Sequence, residues 1–392
     1  MKAILDQVND LFPYTIELRR AFHKNPELGF QEIKTAEKIL AELSQWEGFS
    51  IQSGIAETGI VATLAGAEPG KTILVRFDMD ALPVTEHTNA AYRSRNEGVM
   101  HACGHDGHMA IGLTAAKLLS VRRQELRGQV VFLFQPAEEG LGGALRMINE
   151  GVLETVKPDI ALGMHLWNEK PLGWVSISDG PVMSASETFE IKIQGKGGHG
   201  GKPHESRDPI VASAAVITAL QSLPAREVHP LDSSVISICM IHAGEAHNVI
   251  PGEVNLGGTI RTFRDRTRDL VLKRFREIVS GVAEAHLCQA EIFIEKISPA
   301  VHNDPEIAAI MRQTARELFP EAELDEHYQT MASEDMAFFL EKIPGCYSFI
   351  GSANPAKGLD AMHHQPEFNF DEEALKTGAA LMVSGVLNLL QR

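Results

Sequence analysis

Residues 73–80 read Ile73-Leu74-Val75-Arg76-Phe77-Asp78-Met79-Asp80, an apolar run of strand length that ends on two carboxylates. Ile73–Phe77 has the length and composition of a buried strand, and Val130–Phe134 and Ile160–Met164 repeat the pattern. Between the first two lies Ile111–Leu119, whose apolar residues fall at helical spacing. Strands alternating with helices predict an α/β fold, a mixed and mainly parallel sheet covered by helices. A further run, Cys346–Ile350, fits a strand of the same sheet.

The chain has 392 residues, more than one compact core usually takes, so two domains are expected. Residues near 186 to 297 change pattern. Thr188–Ile193 alternates as a half-buried strand, Pro209–Leu220 is helical, Val235–Ile241 and Val254–Ile260 are strand-like, Leu270–Ala285 is helical, and Glu291–Ile297 is strand-like. That β-α-β-β-α-β order predicts a ferredoxin-like α+β unit. It would be inserted at 186–297 between two parts of the larger domain, 1–185 and 298–392. There is no internal repeat, low-complexity tract or long linker.

Hydrophobic residues make up 44% and charged residues 22%, as in ordinary soluble proteins. No stretch approaches the ~20 apolar residues of a membrane helix, and Met1–Asn9 lacks the apolar core of a signal peptide. The formal net charge of −16 makes phosphate-backbone binding a poor fit, so neither nucleic acid nor membrane is an expected partner. The four cysteines, Cys103, Cys239, Cys288 and Cys346, lie far apart without CxxC spacing, which suits the cytoplasm. Three sit in apolar runs; Cys103 stands among histidines.

Open α/β sheets bind ligands at the carboxyl ends of their strands. Four such ends carry polar residues: Asp78 and Asp80; Gln135, Pro136, Glu138 and Glu139; His165; and, after Cys346–Ile350, a loop to His363 and His364. The densest cluster, His101-Ala102-Cys103-Gly104-His105-Asp106-Gly107-His108, opens the helix that ends near Leu119. Each member alone has an ordinary reading; a single histidine is more often structural, and Asp106 could cap the helix. Three His, one Cys and one Asp within eight residues have no packing rationale, and imidazole and thiolate suit zinc and similar ions. Adjacent Glu138 and Glu139 can divide labour, one binding metal while the other handles the proton of a water.

The chain resembles the metallo-aminoacylase and carboxypeptidase superfamily, in the branch of hippurate hydrolase and other N-acyl-amino-acid amidohydrolases. The resemblance rests on Arg20–Glu32, Arg76–Pro83, Met100–His108, Gln135–Gly140, Gly163–Asn168, Gly197–His204, Asn248–Pro251, Gly258–Phe263 and Ser333–Phe338, spread in order along the chain. It implies Cys103, His105, Glu139, His165 and a C-terminal histidine as metal ligands, Glu138 as general base, and Asp80 as a residue orienting a ligand histidine. His364 fits the C-terminal position, two residues before Pro366, although Gln365 departs from the pattern and His363 remains an alternative. In the small domain it implies His199 at the oxyanion and Asn248 and Arg261 at the substrate; taken alone, Gly197–Gly201 is also a flexible turn and Arg261 could pair locally.

The implied enzyme is a metal-dependent amidohydrolase with two divalent ions per subunit, zinc or manganese, with cobalt or nickel also tolerated. Its substrates would be N-acyl-amino acids. The resemblance also implies a homodimer or higher homo-oligomer, in which the small domain acts as lid and dimerisation domain and lends its histidine to the neighbouring subunit. Two rival readings stand beside it: a thiol hydrolase with Cys103 as nucleophile, and a catalytically silent metal-binding or interaction protein. The first leaves Glu138, Glu139, His165 and His364 without roles, and the intact Glu138 speaks against the second.

Overall fold

The computed structural model describes residues 2–392; of the N-terminal stretch considered above, Met1 lies outside the described residues. The chain divides into two compact units, one formed by 1–182, 302–329 and 335–392, the other by 183–301 and 330–334. The return of 330–334 to the second unit has no counterpart in the sequence pattern.

The first unit is built on an eight-stranded sheet. Across it run Phe49–Ile55, Gly59–Ala65, Arg127–Gln135, Glu68–Asp78, Ile160–Pro171, Gly345–Ala353, Trp174–Ser176 and Glu323–Asp325. Its four central strands are parallel, while Phe49–Ile55, Gly59–Ala65 and Trp174–Ser176 introduce antiparallel pairings. The sheet is therefore mixed and mainly parallel at its centre, as the strand–helix alternation predicts. Ile73, Val75 and Phe77, with Val130, Phe132 and Phe134, join one core cluster together with residues of the helices Lys2–His23, His105–Val121 and Ala374–Leu390. The alternate residues Leu74, Val131 and Leu133 are buried as well. Burial on both faces is why these strands read as unbroken apolar runs.

One strand end differs from expectation. Ile160–Met164 does not stop before His165 but continues to Pro171, because Gly345–Ala353 pairs alongside it, Phe349 opposite His165 and Ala353 opposite Pro171. Burial runs on from Ile160 through Asn168, so His165 interrupts the apolar run inside a buried stretch of the strand rather than at its end. On its other side the strand pairs with Glu68–Asp78 only from Ile73 to Val75. The two strands part beyond that point, and His165, Asp78 and Asp80 follow the parting.

The second unit carries a four-stranded antiparallel sheet in the order Ser234–His242, Glu253–Thr262, Ala185–Gln194, Gln289–Ser298, with helices Pro209–Arg226 and Asp265–Ala285. Chain order and sheet order are those of a ferredoxin-like unit. Asp208 starts the first helix by accepting from Ile210 N and Val211 N, with Pro209 at the first helical position, where its missing N–H costs nothing. Phe189, Ile191, Leu220, Val254, Phe275 and Val279 belong to a separate core. Among the described residues, no helix is long and apolar enough to cross a membrane.

Gly112, in the helix His105–Val121, lies where helix and sheet approach closely. A Cβ there would stand 2.6 Å from Phe77 Cδ2 and 3.0 Å from Phe134 Cε1. Helix propensity alone favours alanine by roughly 0.8–1.0 kcal/mol, whereas an extra methyl in a packed core costs about 1–3 kcal/mol. Gly112→Ala is therefore expected to lower stability by about 1 kcal/mol net, measured by urea unfolding; a gain would show that propensity outweighs packing here.

Candidate metal centre

The central strand Glu68–Asp78 ends in two buried carboxylates that organise the site. Asp78 accepts from Arg76 Nη1 at 2.7 Å and from His108 Nδ1 at 2.6 Å, while Leu166 N donates to His108 Nε2 at 3.0 Å. Both ring nitrogens of His108 are thus engaged, which makes it a structural member of the histidine cluster. Burial would raise Asp78, and the facing His105, His108 and Arg76 instead hold it well below the usual carboxylate range.

His105 is the first residue of its helix, placed there by Gly104, whose φ of 91° is a turn glycine's conformation. Its Nδ1 meets the Asp80 carbonyl at 2.9 Å, which turns Nε2 toward Glu139 Oε1 at 4.0 Å. His165 is oriented the same way, Nδ1 against the Leu166 carbonyl at 2.7 Å and Nε2 3.5 Å from Cys103 Sγ. A backbone carbonyl on one nitrogen that aims the other inward is the usual support for a ligand imidazole. Asp80 also accepts from Glu139 N at 3.0 Å through Oδ2.

Asp106 caps nothing. The residue at the helix start is Gly104, and the buried Asp106 carboxylate instead receives Arg19 Nε and faces His23 Nδ1, each at 2.8 Å. Arg19 continues to Asn369 at 2.7 Å, joining the N-terminal helix and the C-terminal segment to the cluster. Long-range pairing of this kind has no local sequence signal.

At the C-terminus, His363 Nε2 donates to Leu166 O at 3.0 Å and its ring lies on Trp167, centroids 4.9 Å apart. His364, with φ 67°, points elsewhere, its Nε2 3.3 Å from Glu139 Oε1. Ligand atoms of Cys103, His105 and His165 lie within 4.8 Å of one another, as do those of Cys103, Glu139 and His364. Ligands at 2.0–2.3 Å around one ion need about this spacing. His105 Nε2 is buried with no hydrogen-bond partner, and Glu139 Oε1 faces only the imidazoles of His364 and His105, which fits donors left for a cation. Glu138 is half-buried beside them, Oε1 accepting from Asp335 N at 3.4 Å.

In the second unit, Gly198–His199 pairs with Val249–Ile250, His199 opposite Val249, and Gly200 N donates to Asn248 O at 2.8 Å. His199 and Asn248 are therefore neighbours, both exposed. Gly201 N donates to His199 Nδ1 at 2.9 Å, leaving Nε2 as the protonated, outward nitrogen. Arg261 Nη1 donates to Ser333 Oγ at 2.6 Å and Nε to Thr259 Oγ1 at 3.1 Å. Burial lowers its guanidinium, with Glu187 opposing.

Residues the sequence reading passed over include Asp335, which accepts from Arg76 Nη2 and Gln135 Nε2 at 2.8 Å and from Ala144 N at 2.9 Å. Its place in Ser333–Phe338 was visible; its partners were not.

A thiol, imidazoles and carboxylates gathered where the strands of an α/β sheet part are the donor set of a metallohydrolase. Residues 74–388 match Peptidase family M20/M25/M40. The chain is 39% identical over 380 residues to IAA-amino acid hydrolase ILR1-like 4 of Arabidopsis thaliana, covering 96% of this chain and 86% of that protein. It is 39% identical over 360 residues to N-acetylcysteine deacetylase of Bacillus subtilis, 92% of each. To hippurate hydrolase of Campylobacter jejuni it is 36% identical over 392 residues, 99% of this chain and 100% of that one. The crystal structure of Bacillus subtilis YXEP protein, a dinuclear metal binding peptidase from the M20 family, superposes with a TM-score of 0.85 at 35% identity, covering 98% and 99% of the two chains. The chain belongs to peptidase family M20/M25/M40 and is a metal-dependent amidohydrolase of that family.

Without metal, burial pushes the Cys103 thiol well up, helped by Glu139, Glu138 and Asp78. Burial would lower His105, but Asp78, Asp80 and Glu139 outweigh it and push it up to about 10. Both groups hold protons at neutral pH; if they ligate a cation those protons are displaced, and metal affinity falls as pH falls. Calorimetric titration with zinc or manganese at pH 7, in buffers of different ionisation heat, is expected to show release of roughly two protons per chain. Affinity independent of pH between 6 and 8 would contradict this.

Proposed function

We propose that the protein hydrolyses the amide bond of N-acyl-L-amino acids, carrying acetyl, benzoyl or another aromatic acyl group, to a carboxylic acid and a free amino acid. The observation that carries this reading is the shared thiol. Cys103 belongs to two of the donor trios, one with His105 and His165, the other with Glu139 and His364. Such a set suits two divalent ions, zinc or manganese, and cobalt and nickel accept the same donors. His364 is the C-terminal ligand in this reading, since His363 Nε2 is already engaged by Leu166 O. The three relatives cited above are each named for an amino acid bearing an acyl group, which supports the substrate class.

When bound, the ions would acidify a water and polarise the scissile carbonyl. Glu138, outside the two Cys103 trios though its carboxylate also lies near His105 and Glu139, takes the proton of the attacking water and returns it to the departing amine. His199, protonated on its outward Nε2, donates to the oxyanion. Arg261 and Asn248 take the carboxylate end of the substrate. Asp80 keeps His105 in its ligating orientation. The Cys103 nucleophile reading is disfavoured, because a buried thiol beside carboxylates is pushed up rather than down.

A panel of N-acetyl, N-benzoyl and indole-acetyl amino acids assayed with zinc, manganese, cobalt and nickel tests this. Glu138→Gln is expected to cut kcat by about 10²-fold or more, the usual worth of a general base, with metal content unchanged. Glu139→Gln should lose metal instead. Full activity after exhaustive demetallation overturns the reading.

The second unit is proposed as lid and dimerisation domain, its strand Ser234–His242 lying at the edge of the antiparallel sheet. If His199 serves the neighbouring subunit, mixing inactive Glu138→Gln and His199→Ala proteins under subunit exchange restores activity. Exchange without recovery refutes a shared site.

A further inference from the structure

The turn 136–139 carries Glu138 and Glu139, and its shape is unusual at one residue. Ala137 has φ 55°, a left-handed conformation that non-glycine residues avoid. The surrounding contacts explain how it is held. Ala137 N donates to Glu32 Oε1 at 2.9 Å, and on the other side of Glu138 the Glu139 N–H goes to Asp80 Oδ2 at 3.0 Å. The two backbone donors flanking Glu138 are thus each tied to a carboxylate from a distant part of the chain.

Asp80 already has a role at His105; Glu32 has none. It is fully buried, and its second oxygen, Oε2, accepts from Thr58 Oγ1 at 2.6 Å. Burial raises its carboxyl above the ordinary range, with the Thr58 and Ala137 bonds opposing. The segment before it lies close under the turn. A Cβ on Gly29 would stand 3.0 Å from Ala137 Cβ and 2.8 Å from Leu141 Cδ1. A buried carboxylate is retained only where its hydrogen bonds repay desolvation, and here one of two goes to the residue preceding Glu138.

We propose that Glu32 is a positioning residue for Glu138: through the Ala137 N–H it holds the strained turn that aims the base. The inference rests on Glu138 being the base. The two fail separately, since an active Glu138→Gln enzyme sinks the base assignment whatever Glu32 does. A shift of ~1 Å in a reacting group remote from the mutated residue can cost about 10²-fold in rate.

The experiment uses metal-loaded full-length enzyme and the N-acyl-amino acid hydrolysed fastest in the panel above. Glu32→Ala is expected to lower kcat by roughly 10- to 100-fold, with KM within about twofold and metal content per chain equal to wild type. The acid limb of its kcat–pH profile should also move. Glu32→Gln keeps an acceptor for Ala137 N–H and is expected to recover most of kcat. A purely structural role would lower the unfolding temperature and leave kcat per metal-loaded enzyme and the pH profile in place. The proposal is overturned if Glu32→Ala keeps kcat within threefold, if its loss merely follows metal loss, or if Glu32→Gln is as impaired as Glu32→Ala. Should Glu32→Ala not fold, Thr58→Val frees the other oxygen and is expected to lower kcat by about three- to tenfold at unchanged KM; wild-type kcat in that variant overturns the proposal equally.

Discussion

At Asp80 the central strand has just ended, and the residue uses two different oxygens on two different partners. Its carbonyl takes His105 Nδ1, and its carboxylate oxygen Oδ2 takes the Glu139 N–H. The first imidazole of the helix and the turn with the paired glutamates are thereby held to one point on the sheet. Because that point is the end of a strand buried on both faces, it has little freedom to move.

Two buried guanidinium groups extend that rigidity. Arg76 spans Asp78 and Asp335 and also reaches Gln135, while Arg19 spans Asp106, Asn369 and Glu372. Buried ion pairs contribute little net stability, since desolvation consumes much of the attraction. Their effect here is geometric. Each ties the carboxyl end of a central strand or the opening of the histidine helix to segments hundreds of residues away, and the planar, multiply bonded guanidinium fixes orientation as well as distance.

The chemistry of Cys103 follows from the same burial. Carboxylates crowd a thiol that burial has already pushed up, so the metal-free protein holds it protonated. A divalent cation reverses that balance: charges that oppose a thiolate alone welcome a thiolate paired with metal. The acidic surroundings that make Cys103 a poor free nucleophile are those that favour a cation beside it.

The strand–helix alternation, the ferredoxin-like order and the polar residues at strand ends were legible in the sequence, because burial on one or both faces writes itself as periodicity. From the runs His101–His108 and Glu138–Glu139, Cys103, His105 and both glutamates reach the candidate donor groups, while Asp106 is held by Arg19 and His23 instead. Between His363 and His364 the sequence leaves an alternative; in the fold His363 Nε2 meets Leu166 O while His364 faces Glu139. The continuation of a strand through His165 depended on a partner strand nearly two hundred residues on. The holding of the glutamate turn by Asp80 and Glu32, and of Asp106 by Arg19, depended on which distant segments the fold brings together. Local pattern records what each segment buries; only the tertiary structure decides which donor meets which acceptor, because a hydrogen bond is made by atoms in space and leaves no periodicity behind.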